Sequence, residues 1–587
     1  MARWTKTPPT GTSGAMTPME MVSGTGGPRS SPASHLRWVV RDCGDCNDAN
    51  AAVNPDAEED CSTVDDEDCD GSVDKNGALN CVIYYRDPDD DGYGRQESSR
   101  CACVDPGSDY VTEGGDCDEG DPLVNPGAAD VCEDGLDTNC DGWDVCGQEI
   151  AGIEIRGEPG SHAGYAVAVA GDQTGDGVPD ILLGAVGEGA DPGAAYLISG
   201  DLSESIELAS AVLVMNGVTE GDRAGSAVSG GLDMDGDGWP DLLIGAPYNG
   251  KQDINNGVAY LVYGGDSGSL SLADSGAIIS AGGEYARVGQ KGTLQLAQDL
   301  SGDGAPDIVL GSPALDTRTG VVVVSDGPVV GQADARDMGF LLEGGRPHDG
   351  FGSAVLASAD FDGDGSVDLV IGCPRSSRLA PNAGGFYVFD GPIQHDTRAG
   401  DADAQSMSID EHQLAGFTLA SAGDTNGDGH PDLLVGGMGR GGEVWLSEDP
   451  LHAPRDLGET PIQIHGADGT SGADENPGDF ASALAGGLDL DGNGRPDVVI
   501  GAPLSTMGQG HIGLVFVFTD PVPGVYEATD AATILYGPEP EDAAGYSLTT
   551  PGDLDGDGCD DLLVGAPGLS EGGQDGRAWL VSGCTVW

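Results

Sequence analysis

The chain has 587 residues, of which 100 are acidic and 24 are basic, so its formal net charge is -76. This charge excludes nucleic acid and the anionic face of a membrane as partners, and the lack of an apolar run of 18 residues excludes membrane insertion. With 100 glycines and 5% aromatic residues, the composition favours many short strands and tight turns over long helices.

Residues 1–40 are predicted to be poorly structured, and they lack the apolar core of a secretory signal. The chain has 14 cysteines, most of them between Cys43 and Cys146, which nevertheless favours an oxidising compartment. The codons implied by Met16 to Val22 can also be read in the frame that begins at the third base of each codon. In that frame they are compatible with the acidic string DADGDGF. We therefore predict that this segment is an out-of-frame reading of one more copy of the module that follows, and that the genuine chain begins upstream with its export signal.

Residues 41–147 form a predicted cysteine-rich, acidic module that contains a duplication. The segments that begin at Cys46 and Cys117 align without a gap, at a constant offset of 71 residues. Between them, Asp87, Asp89 and Asp91 stand at alternate positions before a glycine. This spacing is typical of calcium ligands, so we predict a metal site there.

The two copies, CNDANAAVNPDAEEDCSTVDDEDCDG and CDEGDPLVNPGAADVCEDGLDTNCDG, resemble the metal-binding repeats of MopE-like bacterial extracellular proteins. The resemblance implies a metal-binding role for the module, whereas the cysteines allow two interpretations. Cys43 and Cys46 have the short spacing of a thiolate zinc pair, but they are an isolated case. Disulfide bonds in a small acidic fold are favoured because the cysteines are dense, although the sequence does not say which cysteines pair.

An acidic loop of nine residues recurs seven times after residue 148. In the copy DMDGDGWPD, carboxylates stand at positions one, three, five and nine, and glycines at positions four and six let the backbone curl around an ion. An EF-hand loop closes its calcium shell with a glutamate at position twelve. Here position twelve is Ile244, and the chain has already entered an apolar strand. Each loop therefore predicts a calcium site that leads into a β-strand.

Each calcium site is predicted to use the side chains at positions one, three, five and nine and the backbone carbonyl at position seven. In chain order, the ligands of loops 1 to 7 are Asp172, Thr174, Asp176, Val178 and Asp180; Asp233, Asp235, Asp237, Trp239 and Asp241; Asp299, Ser301, Asp303, Ala305 and Asp307; Asp360, Asp362, Asp364, Ser366 and Asp368; Asp424, Asn426, Asp428, His430 and Asp432; Asp489, Asp491, Asn493, Arg495 and Asp497; and Asp553, Asp555, Asp557, Cys559 and Asp561. Loops 2, 4 and 7 keep every acid, whereas the other loops replace one with Thr, Ser or Asn and are expected to bind calcium more weakly. Ordinary Asp/Gly turns are the alternative, which the repeated ligand sets disfavour.

The loops recur every 61 to 66 residues inside a constant frame, which predicts an all-β fold. An aromatic-glycine pair precedes most of the loops, as in DGFGSAV, and an apolar run and one further strand follow each loop. We predict a seven-bladed β-propeller over residues 148–587, preceded by the small disulfide-rich, acidic metal-binding region. Glu149 to Gly157 should supply the outer strand of the last blade. The third repeat, EYARVGQKGT, departs from the frame, so its blade edge should be irregular.

This frame resembles the FG-GAP repeats of the integrin alpha-subunit propeller and of many bacterial surface proteins. The resemblance runs from near Ile150 to the end of the chain and implies a propeller that carries calcium in its loops. It says little about function, because FG-GAP propellers serve as adhesion receptors, lectin-like modules and accessory domains of enzymes. In the last blade, Cys559 and Cys584 could bond to each other, which leaves Cys373 as an odd cysteine.

The sequence offers no catalytic residues that we can identify. It lacks the HExxH, GxSxG and GKS or GKT patterns, and His430 lies inside loop 5, where a solvent-facing role is expected. We therefore expect a non-enzymatic, secreted or cell-surface calcium-binding protein that acts as an adhesion or recognition platform for an unknown protein or glycan. The alternatives are a hydrolase or lyase that acts on extracellular polysaccharide, and a structural component of a surface or matrix.

Overall fold

A computed structural model describes residues 80–104, 106–118, 120–126, 147–187, 192–249, 256–281, 286–313, 319–439, 441–450, 456–466, 479–505, 511–568 and 575–584, with isolated residues at 53, 57, 61–62, 66–67, 69, 128, 138 and 140. Residues 1–40 and the pair Cys43 and Cys46 lie outside the described residues. The described part consists of strands and short 3₁₀ helices, which confirms the predicted all-β fold. None of its helices is long and apolar enough to cross a membrane.

The cysteine-rich module contributes one small sheet. Its strands are β1 (Val82–Arg86), β2 (Tyr93–Ala102), β3 (Tyr110–Val111) and β4 (Glu113–Gly114), which lie in the order β3-β1-β2-β4. Disulfide bonds join Cys61 to Cys103, Cys81 to Cys101 and Cys117 to Cys140. These cysteines are therefore bonded to one another, as their density favoured, and are not zinc ligands.

From residue 148 onward the chain folds into short strands. They are β5 (Gln148–Glu149), β6 (Ile153–Arg156), β7 (Ala163–Gly171), β8 (Asp180–Ala185), β9 (Ala194–Ile198), β10 (Ile206–Glu207), β11 (Leu213–Asn216), β12 (Ala227–Leu232), β13 (Asp241–Ala246), β14 (Val258–Val262), β15 (Gly268–Ser271), β16 (Ala277–Ser280), β17 (Leu294–Ala297), β18 (Asp307–Ser312), β19 (Val321–Ser325), β20 (Gly331–Asp334), β21 (Gly339–Glu343), β22 (Val355–Ala359), β23 (Asp368–Gly372), β24 (Gly385–Phe389), β25 (Thr397–Arg398), β26 (Ala404–Met407), β27 (Ala415–Gly423), β28 (Asp432–Gly437), β29 (Glu443–Ser447), β30 (Ile462–His465), β31 (Ala483–Leu488), β32 (Asp497–Ala502), β33 (Leu514–Phe518), β34 (Gly524–Glu527), β35 (Thr533–Tyr536), β36 (Ser547–Gly552), β37 (Asp561–Ala566) and β38 (Arg577–Val581). The described 3₁₀ helices each precede an outer strand and are Leu208–Ser210, Leu272–Asp274, Ala335–Asp337, Ala399–Asp401, Leu457–Glu459 and Ala528–Asp530.

Among the described residues these strands form seven sheets. Each sheet pairs four strands antiparallel from its inner to its outer edge, as in β12-β13-β14-β16. The second strand reads as a continuous apolar run because sheets pack on both of its faces. In β13, Leu242 and Ile244 pack into the core shared with the preceding sheet, and Leu243 packs into the core shared with the next one.

A short fifth strand links successive sheets. After the third strand of one sheet, the chain crosses to the preceding sheet and pairs parallel with its outermost strand, as β15 does with β11 and β20 with β16. The same pairing joins β25 to β21 and β34 to β30. After the third strand of the fifth sheet, a single β-bridge from Asp456 to Met407 of β26 takes the place of this pairing. Each sheet therefore covers the outer edge of its neighbour, which protects that edge from pairing with another chain.

The sheets close into a ring. Their innermost strands contact one another in the order β7, β12, β17, β22, β27, β31 and β36, and β36 contacts β7. Each innermost strand leads into an acidic loop, and the later residues of all these strands line one central cavity of about 480 Å³. The loops therefore stand together at one end of the ring.

The segment before β7 completes the ring at two places. As predicted for Glu149 to Gly157, β6 pairs antiparallel with β38 and forms the outer strand of the last sheet. In addition, β5 pairs parallel with β35 of the sixth sheet, which the sequence did not indicate. Arg577, which is 6% exposed, holds this closure because its guanidinium contacts Glu154 at 3.1 Å, Glu539 at 3.1 Å and Asp542 at 3.5 Å.

Two further expectations from the sequence can be compared with the structure. Cys559 and Cys584 form a disulfide bond, and Cys373 is a free, buried cysteine, as predicted. The disturbed third repeat gives an innermost strand, β17, of four residues, whereas β7 and β27 have nine. β17 is the shortest of the described innermost strands, but its pairing with β18 keeps a regular register, so an irregular blade edge stays a prediction.

We predict that Glu154→Gln lowers the free energy of unfolding by about 1 to 3 kcal/mol, because it removes a charged partner from the buried Arg577. Urea denaturation of the full chain measures this loss. Glu158→Gln is the matched control, since Glu158 is exposed four residues later in the same segment. Equal stability of the two variants would show that the ion pair contributes nothing to ring closure.

Candidate metal centres

A buried carboxylate at position nine anchors each acidic loop. In loop 2, Asp241 begins β13 and is 0% exposed. Its Oδ2 accepts the backbone N–H of Met234 at 2.7 Å, and its Oδ1 accepts the backbone N–H of Gly264, just beyond the third strand, at 2.8 Å. Burial raises the pKa of Asp241 to about 6, although these hydrogen bonds oppose the shift. This side chain therefore ties the loop to the end of the third strand of its own sheet.

The same arrangement recurs in the other loops. Each position-nine side chain is at most 1% exposed and accepts a hydrogen bond from the backbone N–H at position two or three of its loop. These side chains are Asp180, Asp307, Asp368, Asp432, Asp497 and Asp561. Burial raises the pKa of Asp180 above its usual value and that of each of the other five to about 6. A nearby cation would offset the cost of burying these charges.

The carboxylate at position one shapes the loop. Asp233 accepts the backbone N–H groups of Gly236 at 2.7 Å, Asp237 at 3.1 Å and Gly238 at 2.8 Å. Both glycines have positive φ, +80° and +95°, a conformation that side chains with a Cβ resist. Positions four and six therefore need glycine, as predicted, because of their backbone conformation. In this conformation their N–H groups hold the position-one carboxylate in place.

The structure brings the predicted ligands of loops 2 and 4 together. Carboxylate oxygens of Asp233, Asp235 and Asp241 lie within 4.8 Å of one another. Those of the corresponding loop 4 residues, Asp360, Asp362 and Asp368, do so as well. Clusters of this size and oxygen content suit one hard divalent cation.

Loop 3 lacks an acid at position three but offers free oxygen atoms. Ser301 is 4% exposed, and its Oγ is buried without a hydrogen-bond partner. Oδ1 of Asp299, at position one, is also buried and unpartnered. Unpaired buried oxygens are costly, so both atoms are available to a cation.

Residues beyond the third strand join some of these clusters, and the sequence analysis missed them. Asp390 lies with Asp362 and Asp364 of loop 4, within 4.8 Å, and its Oδ1 has no hydrogen-bond partner. In loop 6, Asp520 accepts a hydrogen bond of 2.7 Å from the Asn493 amide. Asp520 thus returns a negative charge to a loop that had lost one, which opposes the weaker binding expected for loop 6. The signal was an acid directly after the third strand.

The residue at position seven reaches the neighbouring loop. The Trp239 ring of loop 2 covers Gly175 of loop 1, where a Cβ would lie 3.2 Å from the ring. His430 of loop 5 covers Gly363 of loop 4 in the same way, so it is half-buried and does not simply face solvent as expected. Adjacent loops are therefore in contact, and a cation in one should influence the next.

Position seven of loop 7 is part of a disulfide bond. Cys559 is bonded to Cys584, which follows the third strand of the last sheet. Both sulfurs lie within 4.8 Å of an oxygen of Asp557, but bonded sulfurs are not thiolate ligands. The bond thus restrains loop 7, and the backbone carbonyl of Cys559 remains the predicted ligand.

The cysteine-rich module contains a loop of the same design. Asp87 accepts the backbone N–H groups of Asp90 at 2.7 Å and Gly92 at 3.1 Å. Carboxylate oxygens of Asp87, Asp89 and Asp91 lie within 4.8 Å of one another. The structure therefore brings the three predicted ligands together.

Comparison with family models identifies two kinds of repeat. Five segments match the model "FG-GAP repeat", at residues 224–268, 351–389, 415–447, 480–518 and 544–581, and each runs from an innermost strand through its acidic loop to the third strand. Two segments match the MopE-type model described as "Putative metal-binding motif", at residues 45–75 and 116–144. The chain thus carries integrin-alpha-like FG-GAP repeats and MopE-type motifs, as the sequence resemblance predicted.

Curated relatives share only part of their length with this chain. Integrin alpha pat-2 of Caenorhabditis briggsae is 30% identical over 260 residues, which cover 41% of this chain and 20% of the relative. Integrin alpha-5 of Xenopus laevis is 29% identical over 213 residues, covering 35% and 19%. Phosphatidylinositol-glycan-specific phospholipase D of Bos taurus is 26% identical over 394 residues, covering 60% and 45%. The chain therefore spans between about a fifth and about half of these relatives.

We predict that Asp241→Asn destabilises the protein by about 1 to 3 kcal/mol even without metal, because an amide cannot accept hydrogen bonds through both of its terminal atoms. In the presence of calcium the loss should be larger, since the cation site of loop 2 is lost too. Urea denaturation with and without calcium measures both effects. Asp266→Asn, an exposed change in the loop that follows β14, should alter neither, and a matching loss there would contradict the anchoring role.

Proposed function

We propose that this chain is a calcium-binding recognition protein of the cell surface or extracellular space, with the FG-GAP ring as its platform. The observation that carries the proposal is the repeated loop geometry, in which a buried position-nine carboxylate lies beside converging carboxylates. Disulfide bonds in the described residues favour an oxidising compartment. The named integrin alpha relatives support an adhesion role.

Calcium is the cation that the loops fit best. All the side-chain donors are oxygen atoms of Asp, Asn, Ser or Thr, which hard cations prefer. The ligands come from one surface loop and from one buried strand end, and carboxylates can bind through one or both oxygens, so the shell can vary in number and distance. Calcium tolerates this variation, whereas magnesium demands a near-ideal octahedron and keeps several waters.

The face opposite the acidic loops is the proposed recognition surface. The first residues of all the innermost strands line a second cavity of about 420 Å³, which we call the mouth cavity. Its lining includes Tyr165, Lys291, Phe417 and Tyr546. Aromatic residues around a concave site, such as the exposed Phe417 and the half-buried Tyr165 and Tyr546, are typical anchors for protein and glycan partners.

The aromatic residues of the mouth cavity are held by specific contacts. The Tyr165 and Tyr546 rings lie 4.8 Å apart, and the Lys291 ammonium lies 4.1 Å from the Tyr546 ring centre. Lys291 also donates a hydrogen bond to the Tyr546 backbone carbonyl. Phe417, which is 40% exposed, remains available to a partner. We expect a partner of protein or glycan chemistry, with no role for nucleic acid.

An enzymatic role is the second candidate, because one relative is named as a phospholipase. The alignment covers 45% of that relative, so its activity does not transfer to this chain. A hydrolase or lyase that acts on extracellular polysaccharide would release soluble fragments, whereas a recognition protein or a matrix component would not. Incubation of the purified chain with extracellular polysaccharides, followed by chromatography, separates these roles.

We predict that calcium raises the melting temperature of the full chain and that a chelator lowers it. Affinities of about 10⁻⁴ to 10⁻³ M are typical of extracellular modules, and a tenfold excess over Kd adds about 1.4 kcal/mol per site. Differential scanning calorimetry at 0, 1 and 10 mM calcium measures the shift. Magnesium at the same concentrations is the control, and an equal shift with both ions would argue against calcium selectivity.

We predict that Phe417→Ala weakens partner binding at least tenfold, because an exposed aromatic anchor would be lost from the mouth cavity. Arrays of glycans and of extracellular proteins first identify the partner with the wild-type chain in calcium. Leu379→Ala is the matched control, since Leu379 is 53% exposed and does not line the cavity. An equal loss in both variants would place recognition elsewhere, and an array without hits would favour the matrix role.

A further inference from the structure

The loop at residues 87–92 leaves buried carboxylate oxygens without partners. Neither carboxylate oxygen of Asp89 has a hydrogen-bond partner on another residue, and both are buried. Oδ2 of Asp91 is also buried and unpartnered. Because Asp87 lies 4% exposed in the same cluster, like charges are held close together in a poorly solvated place. Such an arrangement is unfavourable unless a cation neutralises it.

Strand pairing brings a fourth carboxylate to this loop. β2 begins at Tyr93, directly after the loop, and β4 pairs with it in parallel, with Tyr93 opposite Glu113 and Gly94 opposite Gly114. The backbone N–H groups of Gly115 and Asp116 both point to the Gly94 carbonyl, at 2.9 and 3.4 Å. Asp116 is therefore fixed beside the end of the loop, 25 positions away in sequence from Asp91.

The Asp116 side chain is placed as a ligand would be. It is 4% exposed, and its Oδ1 accepts the backbone N–H of Asp118 at 2.9 Å. Its Oδ2 is buried and has no hydrogen-bond partner. Burial, followed by repulsion from Asp91, Asp116 and Asp87, raises the pKa of Asp89, and burial raises that of Asp116. The backbone hydrogen bonds to Gly94 hold this unpartnered oxygen close to the strand residues that directly follow the loop.

We propose that one hard divalent cation of the calcium class binds in the cysteine-rich module. It joins loop 87–92 to the start of the second of the two duplicated segments, the one that begins at Cys117. Its ligands are the carboxylates of Asp87, Asp89, Asp91 and Asp116. The site lies outside the FG-GAP ring and does not depend on the function of the ring. Asp116 is followed by Cys117, which is bonded to Cys140, so the cation and the disulfide together fix the beginning of this copy.

Counting bound calcium in the full chain tests this shared site. Equilibrium dialysis with wild type, Asp89→Asn, Asp116→Asn and the double variant should show that each single change removes one bound ion per chain. The double variant should also lose one ion and not two, because both residues serve the same site. Glu113→Gln is the matched control, since Glu113 is exposed three residues before Asp116 and should leave the count unchanged.

Two results would overturn the proposal. One is that Asp116→Asn binds as many calcium ions as wild type, with the same affinity. The other is that the double variant loses two ions. Misfolding would not obscure the result, because Asp89→Asn breaks no hydrogen bond to another residue. In metal-free buffer this variant should slow hydrogen exchange at residues 82–116 relative to wild type, since it relieves repulsion. In calcium it should speed exchange there, and a change of the same sign in both buffers would also contradict the site.

Asp241→Asn keeps this test separate from the proposed function of the ring. It should remove one ion from loop 2 and leave hydrogen exchange at residues 82–116 unchanged. If the ring sites fail to bind calcium, the ion count of Asp241→Asn will equal that of wild type, whereas the effects of Asp89→Asn and Asp116→Asn will persist.

Discussion

A fully buried carboxylate at the start of each second strand is the constraint on which this fold depends. Burial disfavours its charged form, and the raised pKa values of these aspartates reflect that cost. Backbone N–H groups from the loop and from the end of the third strand offset part of that cost, as Met234 and Gly264 do for Asp241. The remaining charge is what we propose a cation neutralises. In that proposal the two carboxylate oxygens at position nine serve both as structural anchor and as metal ligand, which would explain why all the loops keep aspartate there.

Local patterns were sufficient to predict most of the ring. The apolar runs after each loop became second strands, because a run such as Leu242 to Ile244 can be satisfied only between two packed layers. The glycines at positions four and six were informative because the backbone there has positive φ. The regular interval also predicted that β6 would pair with β38, since the last sheet would otherwise lack a strand.

Contacts made through strand pairing lie outside the repeated motif. Asp390 and Asp520 reach their loops because the third strand ends beside the start of the second, and Asp116 approaches loop 87–92 through the pairing of β4 with β2. None of these residues lies inside the motif that it completes. The parallel strand β5 was missed for the same reason, since two residues carry no periodicity of their own. Motif spacing thus identified the loops, whereas tertiary pairing decides which further oxygens join them.

The way the ring closes determines when it can finish folding during synthesis. β6 is synthesised before its partner β38, which lies more than 400 residues later. Until β38 emerges, β6 can pair only with the two-residue strand β10, and the edge that β6 later shares with β38 stays unpaired. A truncated product should therefore remain an open array prone to association with other nascent chains. Chaperone protection before release would have to last until the final strand is made.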